Sequence, residues 1–349
     1  MRTARTCVAA LLGGALGATA GMPAECAEPV RLRVQSGFNR NVPVLGETIW
    51  HVASLVETGG RSDVQLRVYD AGKLVPTLQI FDAVASGKLD AGFAWPGYWM
   101  GKLPATTVFA AVPFGPEAGE YLAWLHEGGG LELWRELYAP HGLVPVPCGV
   151  LPPEASGWFA RPIESADDLR GLKIRYAGLG GEVLARLGAS ITMLAGSDIF
   201  PSLERGVIDA TEFSIPSVDR ALGFFRVVKH YYFPGWHQPS SLMELLVNRE
   251  RWEALAPEQR RYIENACLAG TTWSLARGIA TQAEALEFFA AQGVTLHRWS
   301  PELLARFREV STQVMDEHSA RDPAFARAWH SLRDFRERNA TWNALAYPR

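Results

Sequence analysis

The first 250 residues alternate between short runs with strand patterning and longer runs with helical patterning. Residues 31–38 place apolar side chains at every second position, residues 46–58 repeat them at helical spacing, and residues 64–72 return to alternation. This order of strand and helix is typical of α/β proteins with open sheets. The pattern therefore predicts an α/β fold.

One pattern occurs twice: a helix end, a glycine, an apolar residue, Asp-Ala and an aromatic residue. Residues 84–95 read VASGKLDAGFAW, and residues 203–213 read LERGVIDATEF. Each copy predicts a helix, closed near the glycine, followed by a buried strand. Ligands of open α/β sheets lie beyond the carboxyl ends of the strands. We therefore expect Trp95 and the pair Glu212-Phe213 to face each other across a cleft.

The later sequence predicts a crossover between two lobes and then a helical region. Residues 143–157, LVPVPCGVLPPEASG, are rich in proline and predict the crossover, and the chain becomes largely helical after Arg249. This favours two α/β lobes with a hinge between them and a helical C-terminal region, as in a hinged binding protein or a two-domain enzyme. The predicted divisions are residues 1–27 (signal peptide and start of the mature chain), 28–150 (first lobe), 151–213 (core of the second lobe), 214–250 (return through the hinge to the first lobe) and 251–349 (helical region packing on both lobes).

The N-terminus has the composition of a secretory signal peptide. Arg2 and Arg5 precede the small apolar run VAALLGGALGATA, which ends at Ala20. Removing residues 1–20 leaves 32 basic and 37 acidic residues, a net charge of −5, which does not suggest a nucleic-acid partner. No later segment is apolar over about 18 residues. The sequence therefore predicts a soluble periplasmic protein.

Three of the four cysteines remain after that cleavage: Cys26, Cys148 and Cys267. They form no CxxC and no metal-like spacing, so at most one disulfide can form. We expect buried free thiols. Cys26 follows Pro-Ala-Glu, which lacks the apolar run that precedes a lipidated cysteine.

The sequence contains none of the common catalytic motifs: no G-x-S-x-G, HExxH, P-loop or G-x-G-x-x-G. The stretch GLGG at residues 178–181 is typical of a plain turn, and His126-Glu127 lacks a second histidine at helical spacing. We therefore predict that the protein is not an enzyme. A secreted two-domain enzyme remains the alternative from another class.

The residues quoted above resemble the solute-binding subunit of TRAP (tripartite ATP-independent periplasmic) transporters, the DctP-like family, and within it the branch that binds 2-oxoacids and lactate. The resemblance runs from Val34 to about Glu253 and covers about two thirds of the mature chain. The segments that carry it are IFDAVASGKLDAGFAWPGYWMGK, AAVPFG, GGGLELWRELYAPHGLVPVPCG, SGWFARPI, LRGLKIRYAGLGGEVLARLGASITMLAGSDIFPSLERGVIDATEF, HYYFPGWHQP and LLVN. Branches for C4-dicarboxylates and sialic acid usually have Gly-Gln-Glu-Asn where this chain has Ala-Thr-Glu-Phe.

The resemblance implies a two-lobed fold of the type II periplasmic binding protein kind, with a hinge between the lobes. It also implies capture of a small monocarboxylate, such as pyruvate or lactate, and its delivery to a membrane permease. It places the carboxylate-binding arginine at Arg175, whose guanidinium can form two parallel hydrogen bonds with a carboxylate. Clustered aromatic residues at strand ends favour a ligand pocket. From that cluster we expect Tyr98, Trp158 and Phe213 to contact the ligand.

The resemblance also implies a metal ion that bridges protein and substrate. Its positions fall on Glu154, on Glu212 with the backbone carbonyl of Phe213, and on Gln238. The family has a glutamine at the first of these positions and a glutamate at the last, whereas this chain has Glu154 first and Gln238 last. Glu154 is also expected to contact the substrate. Oxygen ligands suit a hard cation such as Ca²⁺ or Na⁺.

The implied partners are the TRAP permease subunits and a second copy of the chain. Some relatives pair through C-terminal helices, and residues 320–343 are helical enough to do so. Two alternatives of the same class remain open: a binding protein for another organic-acid transporter, or one that serves a sensor.

Overall fold

The computed structural model describes residues 29–59 and 63–346. The predicted signal peptide and Cys26 lie outside these residues. In the part of the chain that is described, no helix is both long enough and apolar enough to cross a bilayer.

The strands and helices alternate as the sequence predicted. The strands are β1 (Val30–Ser36), β2 (Val64–Tyr69), β3 (Ala91–Ala94), β4 (Leu143–Leu151), β5 (Gly157–Phe159), β6 (Lys173–Arg175), β7 (Ser190–Thr192), β8 (Ala210–Thr211), β9 (His230–Phe233), β10 (Ser241–Asn248) and β11 (Thr295–Arg298). The α-helices are α1 (Leu45–Thr58), α2 (Ile80–Ala85), α3 (Ala118–Glu127), α4 (Gly130–Tyr138), α5 (Gly178–Arg186), α6 (Gly196–Glu204), α7 (Pro216–Leu222), α8 (Arg249–Glu253), α9 (Pro257–Ala280), α10 (Gln282–Ala291), α11 (Pro301–Arg321) and α12 (Pro323–Ala346).

The first lobe is built on a sheet with the strand order β2-β1-β3-β10-β4. Strands β1, β2 and β3 are parallel, and Val34 of β1 is in register with Val68 and Ala91 on either side. Strand β10 runs antiparallel to both of its neighbours. The predicted α/β fold with two lobes is confirmed.

The second lobe is built on a sheet with the order β11-β9-β5-β8-β6-β7. Strand β9 still belongs to this sheet, whereas β10 belongs to the first, so the chain crosses back between Phe233 and Ser241. The return that we predicted from residue 214 therefore begins too early. Strand β11 also joins the second sheet, so the C-terminal region contributes a strand to that lobe as well as helices.

The proline-rich stretch at residues 143–157 is only partly a crossover. Its first nine residues form β4, in which Pro145 pairs with Leu246 and Pro147 with Glu244. Proline is tolerated there because β4 is an edge strand, so one side of the strand needs no ladder partner. The crossover itself begins after Leu151.

Cys148 and Cys267 form a disulfide between β4 and α9, across 119 residues of sequence. Our expectation of free thiols was wrong. Both residues are fully buried, because α9 packs along β4 and brings the two side chains together.

The last two helices form a hairpin that contacts both lobes. Helix α11 lies on α5 of the second lobe, where Arg186 Nη2 donates to Glu317 Oε2 at 2.7 Å. Helix α12 lies on the first lobe, where Arg336 Nε donates to Glu120 Oε2 of α3 at 3.1 Å. Between them, Asp322 is extended and its carboxylate caps the start of α12. The hairpin therefore joins the two lobes at a second place, apart from the crossovers between the sheets.

Candidate functional site

A small cavity lies between the lobes, at the ends of strands from both sheets. The two copies of the repeated pattern reach it from opposite sides: Trp95 follows β3, and Glu212 with Phe213 follows β8. The remaining lining residues are Phe38, Leu45, Tyr98, Leu151, Glu154, Arg175, Ala177, Ser214, Gln238, Ser241 and Met243. The structure thus brings together all but one of the predicted site residues.

Arg175 ends β6 with its guanidinium buried in the cavity wall. Nη1 donates to Glu212 Oε2 at 2.9 Å, and Nε donates to the carbonyl oxygen of Leu194 at 3.3 Å. The ring of Phe213 lies over the guanidinium, 5.1 Å from its carbon. Nη2 has no hydrogen-bond partner among the described residues, so this group can donate to a ligand.

Glu212 is fully buried beside Arg175. Burial acts to raise the pKa of its carboxyl, but the Arg175 charge and the nearby His237 outweigh burial and hold the pKa below its usual value. Oε2 accepts from Arg175 and from the backbone N–H of Ala177, at 3.3 Å. Oε1 has no hydrogen-bond partner in the described part of the chain. One oxygen of this carboxylate is therefore available to a cation.

Glu154 is the second buried acid of the site. Burial, and then the charge of Glu212, raise the pKa of its carboxyl well above the ordinary value. Ser241 Oγ donates to Glu154 Oε1 at 2.9 Å. Ligand oxygens of Glu154 and Glu212 lie within 4.8 Å of each other, and Arg175 compensates only one of the two charges, so the other needs a proton or a cation.

The amide of Gln238 lies against Glu154 and Ser241. With Oε1 towards Glu154, oxygen would face oxygen, and the one hydroxyl proton of Ser241 cannot serve both side chains. With the amide turned over, Nε2 donates to both oxygens of Glu154 at 3.2 Å. A cation beside Glu154 would reverse this preference, because it would attract the amide oxygen and the carboxylate to the same space. The residues present therefore fit a bound metal ion.

Tyr98 lies at the first-lobe side of the cavity, edge-on to Trp95 with the ring centres 5.5 Å apart. Burial raises the pKa of its phenol to about 12, so the hydroxyl keeps its proton. That hydroxyl has no hydrogen-bond partner among the described residues. It can therefore donate to a bound anion.

Trp158 does not reach the cavity, contrary to our expectation. It lies on β5 in the core of the second lobe, where its ring stacks on Tyr231 with the centroids 3.8 Å apart. Its Nε1 donates to Asp219 Oδ2 at 2.9 Å, and Asp219 Oδ1 accepts from the backbone N–H of Ser214 at 3.2 Å. Trp158 therefore supports the cavity wall from behind, because Ser214 lines it.

His237 lies beside the site, in contact with Glu212, and the sequence analysis did not identify it. It is fully buried behind the cavity, and its Nε2 lies 3.4 Å from Glu212 Oε1. The resemblance implied a role for Gln238, the next residue, but none for His237. Both residues lie in a turn that no helical or strand pattern marks. The only signal was a histidine adjacent to an expected metal ligand.

Comparison with known proteins gives the same picture. The family model for bacterial extracellular solute-binding proteins, family 7 (DctP), matches residues 39–322. The chain is 35% identical over 288 residues to a monocarboxylate 2-oxoacid-binding periplasmic protein of Nostoc sp. (strain PCC 7120), an alignment that covers 82% of this chain and 79% of the relative.

Two solved structures of TRAP solute-binding proteins also match. One, from Bordetella bronchiseptica, holds calcium and picolinate; it has 32% identity and a TM-score of 0.89, over 91% of this chain and 95% of the other. Another, from Pseudoalteromonas atlantica, holds sodium and pyruvate; it has 30% identity and a TM-score of 0.86, over 91% and 97%. The protein thus belongs to the DctP family of bacterial extracellular solute-binding proteins, the solute-binding receptors of TRAP transporters.

Proposed function

We propose that this receptor captures a small 2-oxo or 2-hydroxy monocarboxylate, such as pyruvate or lactate, together with a cation. The observation that carries the proposal is the free Nη2 of Arg175 beside the two buried carboxylates of Glu154 and Glu212. Nη2 and the Tyr98 hydroxyl donate to the carboxylate of the acid. Glu154, Glu212, the carbonyl of Phe213 and Gln238 would hold the cation, which would supply positive charge next to the acid.

The balance of buried charge supports a cation. Glu154, Glu212 and the bound acid carry three negative charges, and Arg175 carries one positive charge. A divalent cation neutralises the remaining two. With Na⁺, a proton on Glu154 completes the balance, which the raised pKa of that carboxyl favours. Buried charges persist only when compensated in this way.

The size and lining of the cavity support a small acid. The space in it that is open to the centre of a water molecule is only about 20 Å³, which leaves no room for a large ligand. The uncharged part of the cavity wall includes the side chains of Phe38, Leu45, Leu151 and Met243. A short apolar side chain fits this wall, whereas a second carboxylate would lose its hydration without gaining a partner.

The proposal is tested by calorimetry of the purified protein with pyruvate, lactate and propionate, each in Ca²⁺, in Na⁺ and with a chelator. Propionate is the matched control, because it has the same carboxylate and carbon count but no oxygen at position 2. We expect pyruvate or lactate to bind best with a cation present and propionate to bind weakly. Equal binding of all three, or no binding of the oxygenated acids, would contradict the proposal.

The relatives are periplasmic binding proteins, and the predicted signal peptide agrees with that location. We propose that the mature protein works in the periplasm and passes its acid to TRAP permease subunits. Closure of the two lobes around the acid is the step that we expect to expose the docking surface.

We also propose that two copies pair through the C-terminal helix. Helix α12 ends with Trp342 67% exposed and Leu345 78% exposed, and these side chains are neighbours on the helix surface because they are three residues apart. The Bordetella bronchiseptica relative is a dimer in its crystal structure. Light scattering of the protein and of a Trp342→Glu variant tests this pairing: a monomeric wild-type protein at micromolar concentration would overturn it.

A further inference from the structure

Phe114 has a backbone conformation that phenylalanine rarely adopts. It lies in the loop before α3 of the first lobe, and its φ is 53°, in the left-handed region that favours glycine. The next residue must also be a glycine, because a Cβ at Gly115 would lie 2.5 Å from the carbonyl oxygen of Val112. A phenylalanine in this region is unfavourable by itself and persists only where its surroundings compensate. The contacts of Phe114 must therefore favour this conformation.

The backbone and the ring of Phe114 both contact the crossover turn, residues 234–240, between β9 and β10. The N–H of Phe114 donates to the carbonyl oxygen of Trp236 at 2.7 Å. The two rings stack, with their centres 5.6 Å apart and their planes at 27°. Further along the loop, the carbonyl oxygen of Pro116 accepts from Ser240 Oγ at 3.0 Å. The loop of the first lobe thus holds the crossover turn at two places.

The crossover turn carries Gln238, whose side chain lines the cavity. The backbone N–H of Gln238 donates to the carbonyl oxygen of Gly235 at 3.1 Å. Its own carbonyl oxygen accepts from the N–H of Glu154, also at 3.1 Å. A displacement of Trp236 would therefore move Gln238 and Glu154, because these hydrogen bonds connect short segments.

The C-terminal hairpin also contacts Phe114. The guanidinium carbon of Arg308 on α11 lies 4.1 Å from the centre of the Phe114 ring. Arg336 Nη1 on α12 donates to the Phe114 carbonyl oxygen at 3.2 Å. Trp236 in turn stacks on Phe307 of α11, with the ring centres 4.7 Å apart. Both helices of the hairpin and the crossover turn therefore meet at Phe114.

We propose that Phe114 is a positioning residue: it fixes the crossover turn, and through it Gln238 and Glu154, for binding of the cation and the acid. The effect on binding rests on the proposed function, whereas the fixing of the turn does not. Stacking on an aromatic ring and a cation over the ring each contribute modestly. Together they correspond to roughly a 5- to 30-fold change in an equilibrium constant.

The test uses the full mature protein and three variants at Phe114. Phe114→Ala removes the ring and keeps the Cβ, Phe114→Leu keeps apolar volume without a flat ring, and Phe114→Tyr keeps the ring. The matched control is Phe288→Ala. Phe288 on α10 is also partly buried and has the Arg220 guanidinium 4.2 Å from its ring centre, but it packs on Phe225 instead of on the crossover turn.

Three measurements are made on each protein. Amide hydrogen exchange of peptides that contain residues 234–240 is followed by mass spectrometry without any ligand. Denaturant unfolding gives the stability, and calorimetry with pyruvate in Ca²⁺ gives the affinity. The exchange measurement reports the turn itself and does not depend on which acid binds.

We expect the turn to exchange faster, and pyruvate to bind more weakly, by roughly 5- to 30-fold in Phe114→Ala and Phe114→Leu. Phe114→Tyr and Phe288→Ala should behave as the wild-type protein in both measurements. The unfolding midpoint should fall no more in Phe114→Ala than in Phe288→Ala, which separates positioning from general stability. Wild-type exchange in both Phe114→Ala and Phe114→Leu, or equal acceleration in Phe288→Ala, would overturn the proposal.

The result is separable from that of the proposed function. If exchange of the turn accelerates in Phe114→Ala but no 2-oxo or 2-hydroxy acid binds to the wild-type protein, the proposed function fails and Phe114 still holds the turn. If pyruvate binds equally to the wild-type protein and to Phe114→Ala, and exchange is the same in both, the proposed function stands and the role of Phe114 fails.

Discussion

Arg175 Nη1 lies 2.9 Å from Glu212 Oε2, in an ion pair that is buried on both sides. The residue proposed to bind the acid thus directly contacts a residue proposed to bind the cation. Acid and cation then affect each other's affinity through one pair of side chains, and such coupling is reciprocal.

Replacing Arg175 with alanine should nearly abolish binding of the acid. Removing one partner of a buried ion pair costs roughly 3–5 kcal/mol, which corresponds to a 100- to several-thousand-fold loss of affinity. Calorimetry with pyruvate in Ca²⁺ measures the effect. The control is Arg220→Ala, because Arg220 forms a surface ion pair with Glu284 in the same lobe. Unchanged affinity in Arg175→Ala would exclude Arg175 from the site.

Exchanging the carboxyl group of Glu154 and the amide of Gln238, one residue at a time, should first weaken the binding of cation and ligand and then restore it. Glu154→Gln removes one negative charge next to the cation, so metal and acid should both bind more weakly. Adding Gln238→Glu returns the charge on a residue that contacts the same space, and much of the affinity should return. Elemental analysis and calorimetry follow both ligands. Normal binding by Glu154→Gln in a chelator would show that no metal bridge exists.

A methyl group at Gly178 should hinder closure of the lobes. A Cβ there would lie 3.0 Å from Trp95 Cη2, across the interface between the lobes. Gly178→Ala should therefore lower affinity for the acid and leave the protein more expanded in solution scattering when the ligand is bound. Gly171→Ala is the control, because both glycines have a positive φ and a Cβ at Gly171 meets nothing within 4 Å. The backbone cost, about 1–2 kcal/mol, should be similar in both, so equal loss of affinity would contradict a contact effect.

Glu244 should make the protein less stable as the pH rises. It lies in the core of the first lobe, where Oε1 accepts from Trp99 Nε1 at 2.7 Å and from the Tyr138 hydroxyl at 3.0 Å, and where Oε2 has no partner in the described chain. Burial raises the pKa of its carboxyl to about 8, despite these two hydrogen bonds. The folded state then keeps a proton that the unfolded state loses near its ordinary pKa.

The contribution of Glu244 to the free energy of unfolding is therefore greatest at low pH. It declines as the pH rises from about 5 to 8 and is constant above that. One such group contributes a slope of at most about 1.4 kcal/mol per pH unit. Glu244→Gln keeps the acceptor oxygen and removes the ionisation, so its advantage over the wild-type protein should grow with pH in chemical denaturation. A constant difference from pH 5 to 9 would show that Glu244 does not titrate in this range.

Reduction of the Cys148–Cys267 disulfide should destabilise the protein without preventing folding of the lobes. The link closes 119 residues, and disulfides typically contribute about 2–4 kcal/mol by restricting the unfolded chain. The double variant Cys148→Ala, Cys267→Ala should unfold at lower denaturant concentration than the oxidised protein, and reductant should shift the wild-type protein but not the variant. An identical midpoint for oxidised protein and double variant would contradict this.

Residues at the ends of regular strands were predictable, and residues that depend on long-range packing were not. Arg175 and Glu212 could be placed because strand ends of an open sheet meet at one edge. Trp158 was misplaced because alternation along a strand does not reveal which face looks into the cavity. The disulfide was missed because only the packing of α9 on β4 brings Cys148 to Cys267. His237 lies in a turn without periodicity, so no local pattern identified it.

Asp322 connects helices α11 and α12, so the angle between the two helices can change at this residue. Helix α11 is fixed to the second lobe by Glu317 and helix α12 to the first lobe by Arg336, so any relative rotation of the lobes must bend the chain where the helices meet. Helix α11 has 21 residues and is therefore a rod of roughly 30 Å. A small rotation at Asp322 becomes a displacement of several ångströms at its far end. Two spin labels, one near the start of α11 and one on α3, would therefore report the opening and closing of the receptor from its outer surface, without touching the cavity.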